Sequence, residues 1–210
     1  MSAASPPVPV VILISGNGTN LQAISDDIAQ RQLPINIRAV VSNNPLAPGL
    51  MRARQAGLCV NVIDHRQFPT RAAFDYALMQ AIDFHAPRLV ILAGFMRILG
   101  ADFIRHYLGR LINIHPSLLP AFPGLNTHAR VLASGVGQHG ATVHFVTEEV
   151  DAGPIILQAE VAVQPGDTVE TLAARVHKEE HRIYPLAIHW LAQGRVRLHD
   201  GRTLLRDDPI

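Results

Sequence analysis

A chain of 210 residues, 48% hydrophobic and 17% charged, is long enough to bury a substantial core, which excludes wholesale disorder. Eighteen Lys plus Arg against seventeen Asp plus Glu leave a formal net charge of +1, so no overall basic field invites a nucleic-acid partner. The longest apolar stretches, such as Val10–Ile14 and Leu89–Ala93, are far shorter than the ~20 residues that cross a bilayer, and no membrane partner is expected.

In chain order, residues Met1–Pro9 lack a basic leader and read as a loose tail. Val- and Ile-rich runs at Val8–Ser15, Ile35–Ser42, Cys59–Ile63, Leu89–Ala93 and Leu111–His115 are each bounded by Gly, Pro, Asn or Asp. They read as strands buried on both faces. Helical spacing covers Asn20–Gln32, Gly49–Ala56, Thr70–His85 and a short stretch near Ala101–Tyr107. This alternation predicts an α/β fold: a Rossmann-like, mostly parallel twisted sheet with flanking helices. After Pro116 the pattern changes to a Pro- and Gly-rich loop, a short helix near Thr127–Ser134 and two strand-like runs, Ala141–Val146 and Ile155–Val163. A long amphipathic helix follows over Thr168–Gln193, with Thr168 as its cap and a kink expected at Pro185, and then a short strand and a turn. With no repeat and no low-complexity linker, residues 1–210 read as a single domain whose C-terminal part holds antiparallel strands and the long helix. Cys59 is the one cysteine; its setting between Leu58 and Val60 predicts a core thiol, and the absence of any disulfide partner suits a reducing, cytoplasmic location.

Ser15-Gly16-Asn17-Gly18-Thr19-Asn20-Leu21 joins the first strand to the first helix, where backbone N–H groups and the helix dipole can cradle a phosphate. As a dinucleotide fingerprint it is incomplete. Leu21 stands at the third glycine position, the second strand ends in Ser42-Asn43-Asn44 without a ribose-binding acid, and no Lys follows the second glycine. A monophosphate fits the loop better than a dinucleotide or triphosphate. The plainer reading is a tight turn with Asn20 capping a helix.

The fifth strand ends Asn113-Ile114-His115-Pro116, so Asn113 and His115 project to one side at the carboxyl edge where open α/β sheets place ligands. An amide donor beside an imidazole is what acyl transfer needs: one stabilises a developing oxyanion, the other moves a proton or adds positive charge. Asp151, in Asp151-Ala152-Gly153-Pro154, would supply the carboxylate that keeps His115 charged; its plainer reading is ordinary turn chemistry.

Together these blocks, with Leu92-Ala93-Gly94-Phe95-Met96-Arg97-Ile98-Leu99, the run Asn113–Pro120 and Thr142-Val143-His144-Phe145-Val146, stand in the order and spacing of a known family. The chain resembles the phosphoribosylglycinamide formyltransferase family of folate-dependent enzymes over roughly Val10–His199. The resemblance implies transfer of a formyl group from 10-formyltetrahydrofolate, the co-substrate, to the amine of glycinamide ribonucleotide in purine biosynthesis, with no metal. It implies Asn113, His115 and Asp151 as catalytic, Gly18, Thr19 and Asn20 on the substrate phosphate, and Glu180 on the glycinamide end. For the folate it implies Arg71, Met96, Arg97, Ile98 and Leu99, with His144 supporting the catalytic residues. A monomer or homodimer is expected. The chain departs from the family pattern at Ala121, where Lys or Arg is usual, at Asn126, where His is frequent, and at Ala152, where Gly is common.

Four other readings compete. His177-Lys178-Glu179-Glu180-His181 is a literal H-x-x-E-H, whose two histidines could share a metal, although no third ligand is evident. A non-catalytic nucleotide-binding module would leave Asn113, His115 and Asp151 dispensable. A hydrolase of 10-formyltetrahydrofolate would use the same three residues, as would a formyltransferase acting on methionyl-tRNA.

Overall fold

The computed structural model describes residues 6–206, which divide into two compact units, one ending at Ile112 and the other beginning at Asn113. In the first, β1 (Val8–Ile14), β2 (Ile35–Ser42), β3 (Val60–Val62) and β4 (Leu89–Leu92) lie in the order β3-β2-β1-β4. All three pairings are parallel. Helices α1 (Thr19–Arg31), α2 (Gly49–Gln55) and α3 (Arg71–Asp83) make the crossovers, and α4 (Ala101–His106) follows β4. Residues Val10–Ile14 of β1 are wholly buried, as a central parallel strand covered on both faces must be. The order reverses between β1 and β4, so their carboxyl ends open the crevice in which such sheets hold ligands.

Several sequence expectations change here. Val8 and Pro9, which the sequence placed both at the end of the tail and at the start of the first strand, belong to β1 and pair with Ile35 and Asn36, whereas Met1–Ser5 fall outside the described residues. The Cys59–Ile63 run, expected to be buried on both faces, forms a three-residue edge strand with partly open sides, and Cys59 is exposed rather than a core thiol. Its carbonyl accepts the Val40 N–H at 2.8 Å. An edge strand has one neighbour, and the apolar residues flanking Cys59 do not reveal which strand of a sheet is the edge.

β5 (Leu111–His115) carries the chain into the second unit, where the order is β5-β6-β7 with β6 (Gln138–Phe145) and β7 (Ile155–Ala162) antiparallel. α5 (Thr127–Ser134) precedes β6, and α6 (Val169–Ala192) follows β7. Thr168 caps α6 in a reciprocal box with Thr171, and the helix runs on through Pro185. Its buried stripe, Leu172, Val176, Ile183, Tyr184, Ala187 and Ile188, recurs at helical spacing. A hairpin of β8 (Val196–His199) and β9 (Arg202–Leu205) closes the described chain. The fold is thus the α/β class expected, with a mostly parallel mixed sheet, a long C-terminal helix and antiparallel strands. Among the described residues no helix is long and apolar enough to cross a membrane.

Candidate active site

In the first unit the loop after β1 and the loop after β4 meet through Ser15. Its N–H donates to the Gly94 carbonyl at 3.0 Å, its hydroxyl donates to Asn43 Oδ1 at 2.6 Å, and the same oxygen accepts the Met96 N–H at 2.8 Å. Asn43 is in turn held against the His65 ring at 3.2 Å. The glycine loop enters α1 at Gly18, which is left-handed at φ 70°, caps the helix without a side-chain bond, and precedes a first turn free of acidic residues. Asn20 therefore lies inside α1, one residue past its start at Thr19, and is not its cap. No side-chain oxygen at the cap and no carboxylate in the first turn competes for the leading N–H groups, the condition an anion site needs. Both glycines of the contact with α2 sit where a side chain would collide with backbone: a Cβ on Gly18 would lie 2.8 Å from Gly49 Cα, and one on Gly49 would lie 3.0 Å from the Gly16 carbonyl oxygen and from Gly18 Cα. Arg52 Nε adds a donor to the Asn17 carbonyl at 3.0 Å.

The residues expected to meet folate occupy two elements. Arg71 is the exposed first residue of α3, behind the Thr70 cap. Met96 and Ile98 present exposed side chains on the loop after β4, a placement open to a flat ring. Arg97 lies with its guanidinium 5.3 Å from the Phe74 ring centroid, a cation–π contact. Leu99 instead turns into the core, being 7% exposed.

The second unit brings Asn113, His115, His144 and Asp151 together. β5 places Asn113 and His115 two residues apart, and antiparallel β6 supplies His144. Nδ1 of His144 lies 2.8 Å from the Phe145 carbonyl and so carries the proton; Nε2, 3.3 Å from Asn113 Nδ2, is left to accept an amide N–H. Burial pushes the His144 imidazole below its ordinary range, which keeps Nε2 an acceptor. His115 has an acceptor at each nitrogen: the Phe122 carbonyl is 3.0 Å from Nε2 and Asp151 Oδ2 is 3.3 Å from Nδ1. A doubly protonated ring satisfies both. Asp151 sits on a left-handed residue, φ 54°, and its Oδ2 also accepts the Gly124 N–H at 2.8 Å.

The loop between His115 and α5 is held by its own polar contacts. Thr142 on β6 donates to the Ser117 carbonyl and accepts the Leu119 N–H, and Gln158 on β7 donates to Leu119. The sequence alone does not single out Thr142, Gln158 or Ser15; each is a small or polar residue whose partner lies more than fifteen positions away. Glu180 is buried at 4% exposure on the otherwise apolar stripe of α6, where an ordinary helix acid would be solvated. His177 and His181 stack with ring centroids 6.4 Å apart. Among the described residues no group of three or more His, Cys, Asp or Glu is placed to hold a metal ion.

The three departures from the family pattern have local readings. Asn126 stands at a left-handed position, φ 55°, which asparagine tolerates better than most residues. Ala152 is outside the positive-φ positions, so a Cβ brings no backbone penalty there. Nothing in the structure explains Ala121.

The sequence profile of the formyl transferase family matches residues 8–188. The phosphoribosylglycinamide formyltransferase of Escherichia coli (strain K12) is 52% identical over 196 residues, 93% of this chain and 92% of that protein. The structure of the phosphoribosylglycinamide formyltransferase of Coxiella burnetii, in complex with CHES, superposes with a TM-score of 0.92 at 53% identity, covering 97% of this chain and 96% of that one. A formyltetrahydrofolate deformylase of Pseudomonas syringae is more distant, at 27% identity and a TM-score of 0.88 over 97% of this chain and 67% of that one. The chain belongs to the formyl transferase family, among its phosphoribosylglycinamide formyltransferases.

Proposed function

We propose that the protein transfers the formyl group of 10-formyltetrahydrofolate directly to the amine of glycinamide ribonucleotide. The observation that carries this reading is the convergence of Asn113, His115, His144 and Asp151 on one another. The amine nitrogen attacks the formyl carbon, forming a C–N bond and a tetrahedral oxyanion. Collapse breaks the bond to the folate nitrogen, which departs with the proton that the amine gives up. Asn113 donates one N–H to the oxyanion while His144 holds the other, and the His115 imidazolium supplies positive charge. Asp151 orients that imidazolium and takes the proton through water before returning it to the leaving nitrogen. Gly18, Thr19 and Asn20 bind the substrate phosphate, and Glu180 the glycinamide end. Arg71 pairs with the folate glutamate carboxylate, and the Met96–Leu99 segment receives the pterin. Cytoplasmic residence, expected from the sequence, belongs to the same proposal.

The test is formyl transfer by purified, chelator-treated protein from 10-formyltetrahydrofolate with and without the ribonucleotide, following tetrahydrofolate release and formylated product. The expected result is release that requires the ribonucleotide and matches product mole for mole. Release without acceptor would establish a hydrolase instead, and no release in either tube would overturn the reading. Replacing Asn113, His115 or Asp151 by Ala should lower kcat by about 10² or more, the scale of a lost oxyanion donor or acid–base group. Retained turnover in all three would remove the mechanism.

A further inference from the structure

Asp75 takes no part in the proposed chemistry, yet it is only 5% exposed, a burial that carboxylates rarely have without a purpose in the fold. It lies on α3, one turn beyond Arg71, and its Oδ2 accepts the Gly100 N–H at 2.8 Å across to the end of the loop that carries Met96–Leu99. Its Oδ1 is buried without a hydrogen-bond partner, as is Nε of Arg97. Burial pushes the Asp75 carboxyl up, while the Gly100 N–H and the charges of Arg71 and Arg97 act in the opposite direction. Burial outweighs these opposing contacts, so the Asp75 carboxyl stays raised, and the Gly100 N–H is the hydrogen bond that ties it to the loop.

The loop itself is fastened at two points. Near its start, Ser15 binds Gly94 and Met96; at its end, Gly100 is bound by Asp75. A Cβ on Gly100 would lie 2.8 Å from Asp75 Oδ2, so a larger residue there must push aside the carboxylate that binds it. α3 is a firm support for the fastening, since Phe74, Leu78 and Ile82 anchor it in the core.

We propose that Asp75 is a positioning residue for the formyl-folate site: its carboxylate fixes the end of the Met96–Leu99 segment through the Gly100 N–H. The inference rests on the assignment of Arg71 and Met96–Leu99 to folate made above. A side chain that only stabilised α3 would influence both substrates alike, whereas one that sets this loop acts on the folate alone.

The experiment compares Asp75→Ala, Asp75→Asn and Gly100→Ala in steady-state kinetics with both substrates varied, with Ile98→Ala as the control for the folate assignment. Asp75→Ala is expected to raise KM for 10-formyltetrahydrofolate about tenfold, leaving KM for the ribonucleotide and kcat within about threefold. Asp75→Asn should fall between, because its amide oxygen still accepts the Gly100 N–H without carrying charge. Amide hydrogen exchange over residues 94–100 of the unliganded protein should quicken in the same order. Equal rises in both KM values, or full activity in all Asp75 and Gly100 variants while Ile98→Ala weakens folate, would overturn the positioning role and leave the folate assignment standing. No change in folate KM in any variant, Ile98→Ala included, would overturn both. Should Asp75→Ala fail to fold, Asp75→Asn and Gly100→Ala decide: a selective rise in folate KM supports the role, and an unchanged KM overturns it.

Discussion

Asn113 and His115 were legible from the sequence because period-two geometry sends both to one side of a strand that ends at a sheet's ligand edge. A supporting place for His144 was implied by the resemblance alone, and its contact with Asn113 was not legible, since it depends on which ring nitrogen faces the Phe145 carbonyl. That detail makes a prediction. His144→Leu removes the acceptor that orients Asn113 and should lower kcat about tenfold, the scale of a mispositioned donor, whereas His144→Gln should recover part of the loss. Equal turnover in the Leu and Gln variants would show that the Asn113 contact carries no weight. Glu180 illustrates the opposite limit. The sequence offered it only through the resemblance, and the burial of α6 shows that a carboxylate there is out of place.

At the level of elements, Ile35–Ser42, Leu111–His115 and Thr127–Ser134 coincide with their expected spans, because each is closed by a residue that cannot extend the pattern: Asn43, Pro116 and Gly135. β3 and Cys59 were misjudged because hydrophobicity measures transfer preference and not position in a sheet. Turns that only small residues can make are readable as glycines, yet their purpose appears in space. A Cβ on Gly153 would sit 1.8 Å from the Phe145 carbonyl oxygen, so the Asp151 turn passes against β6 with no room to spare. Gly153→Ala should displace that turn, lower kcat by about 10² and reduce Tm, checked by kinetics and calorimetry on one preparation. Unchanged kcat would show that Asp151 tolerates the shift. At the start of α6, Thr168→Ala breaks the reciprocal box with Thr171. It should cost about 1 kcal/mol, read as a Tm lowered by about 2–4 °C with kcat intact.

For the whole molecule, the informative titrations are those of buried and half-buried histidines. Burial lowers His128, His144 and His181, and takes His139 down to about 4. Each is lower folded than its ordinary value near 6.5, so the unfolded chain binds the protons more readily. Their contribution is present above pH 6.5 and is lost as pH falls toward 4. Asp75 runs the other way, its raised carboxyl favouring the folded chain on acidification. With four groups against one, urea midpoints should decline from pH 7 to pH 4.5, and His139→Gln should flatten the decline. A midpoint unaffected by pH across that range would contradict the burial of these rings. The exposure of Cys59 has a practical corollary. As the chain's one cysteine, immediately before an edge strand and exposed to solvent, it accepts a single maleimide dye in unaltered protein. Labelling should saturate at one equivalent per chain, giving a spectroscopic reporter without any mutation.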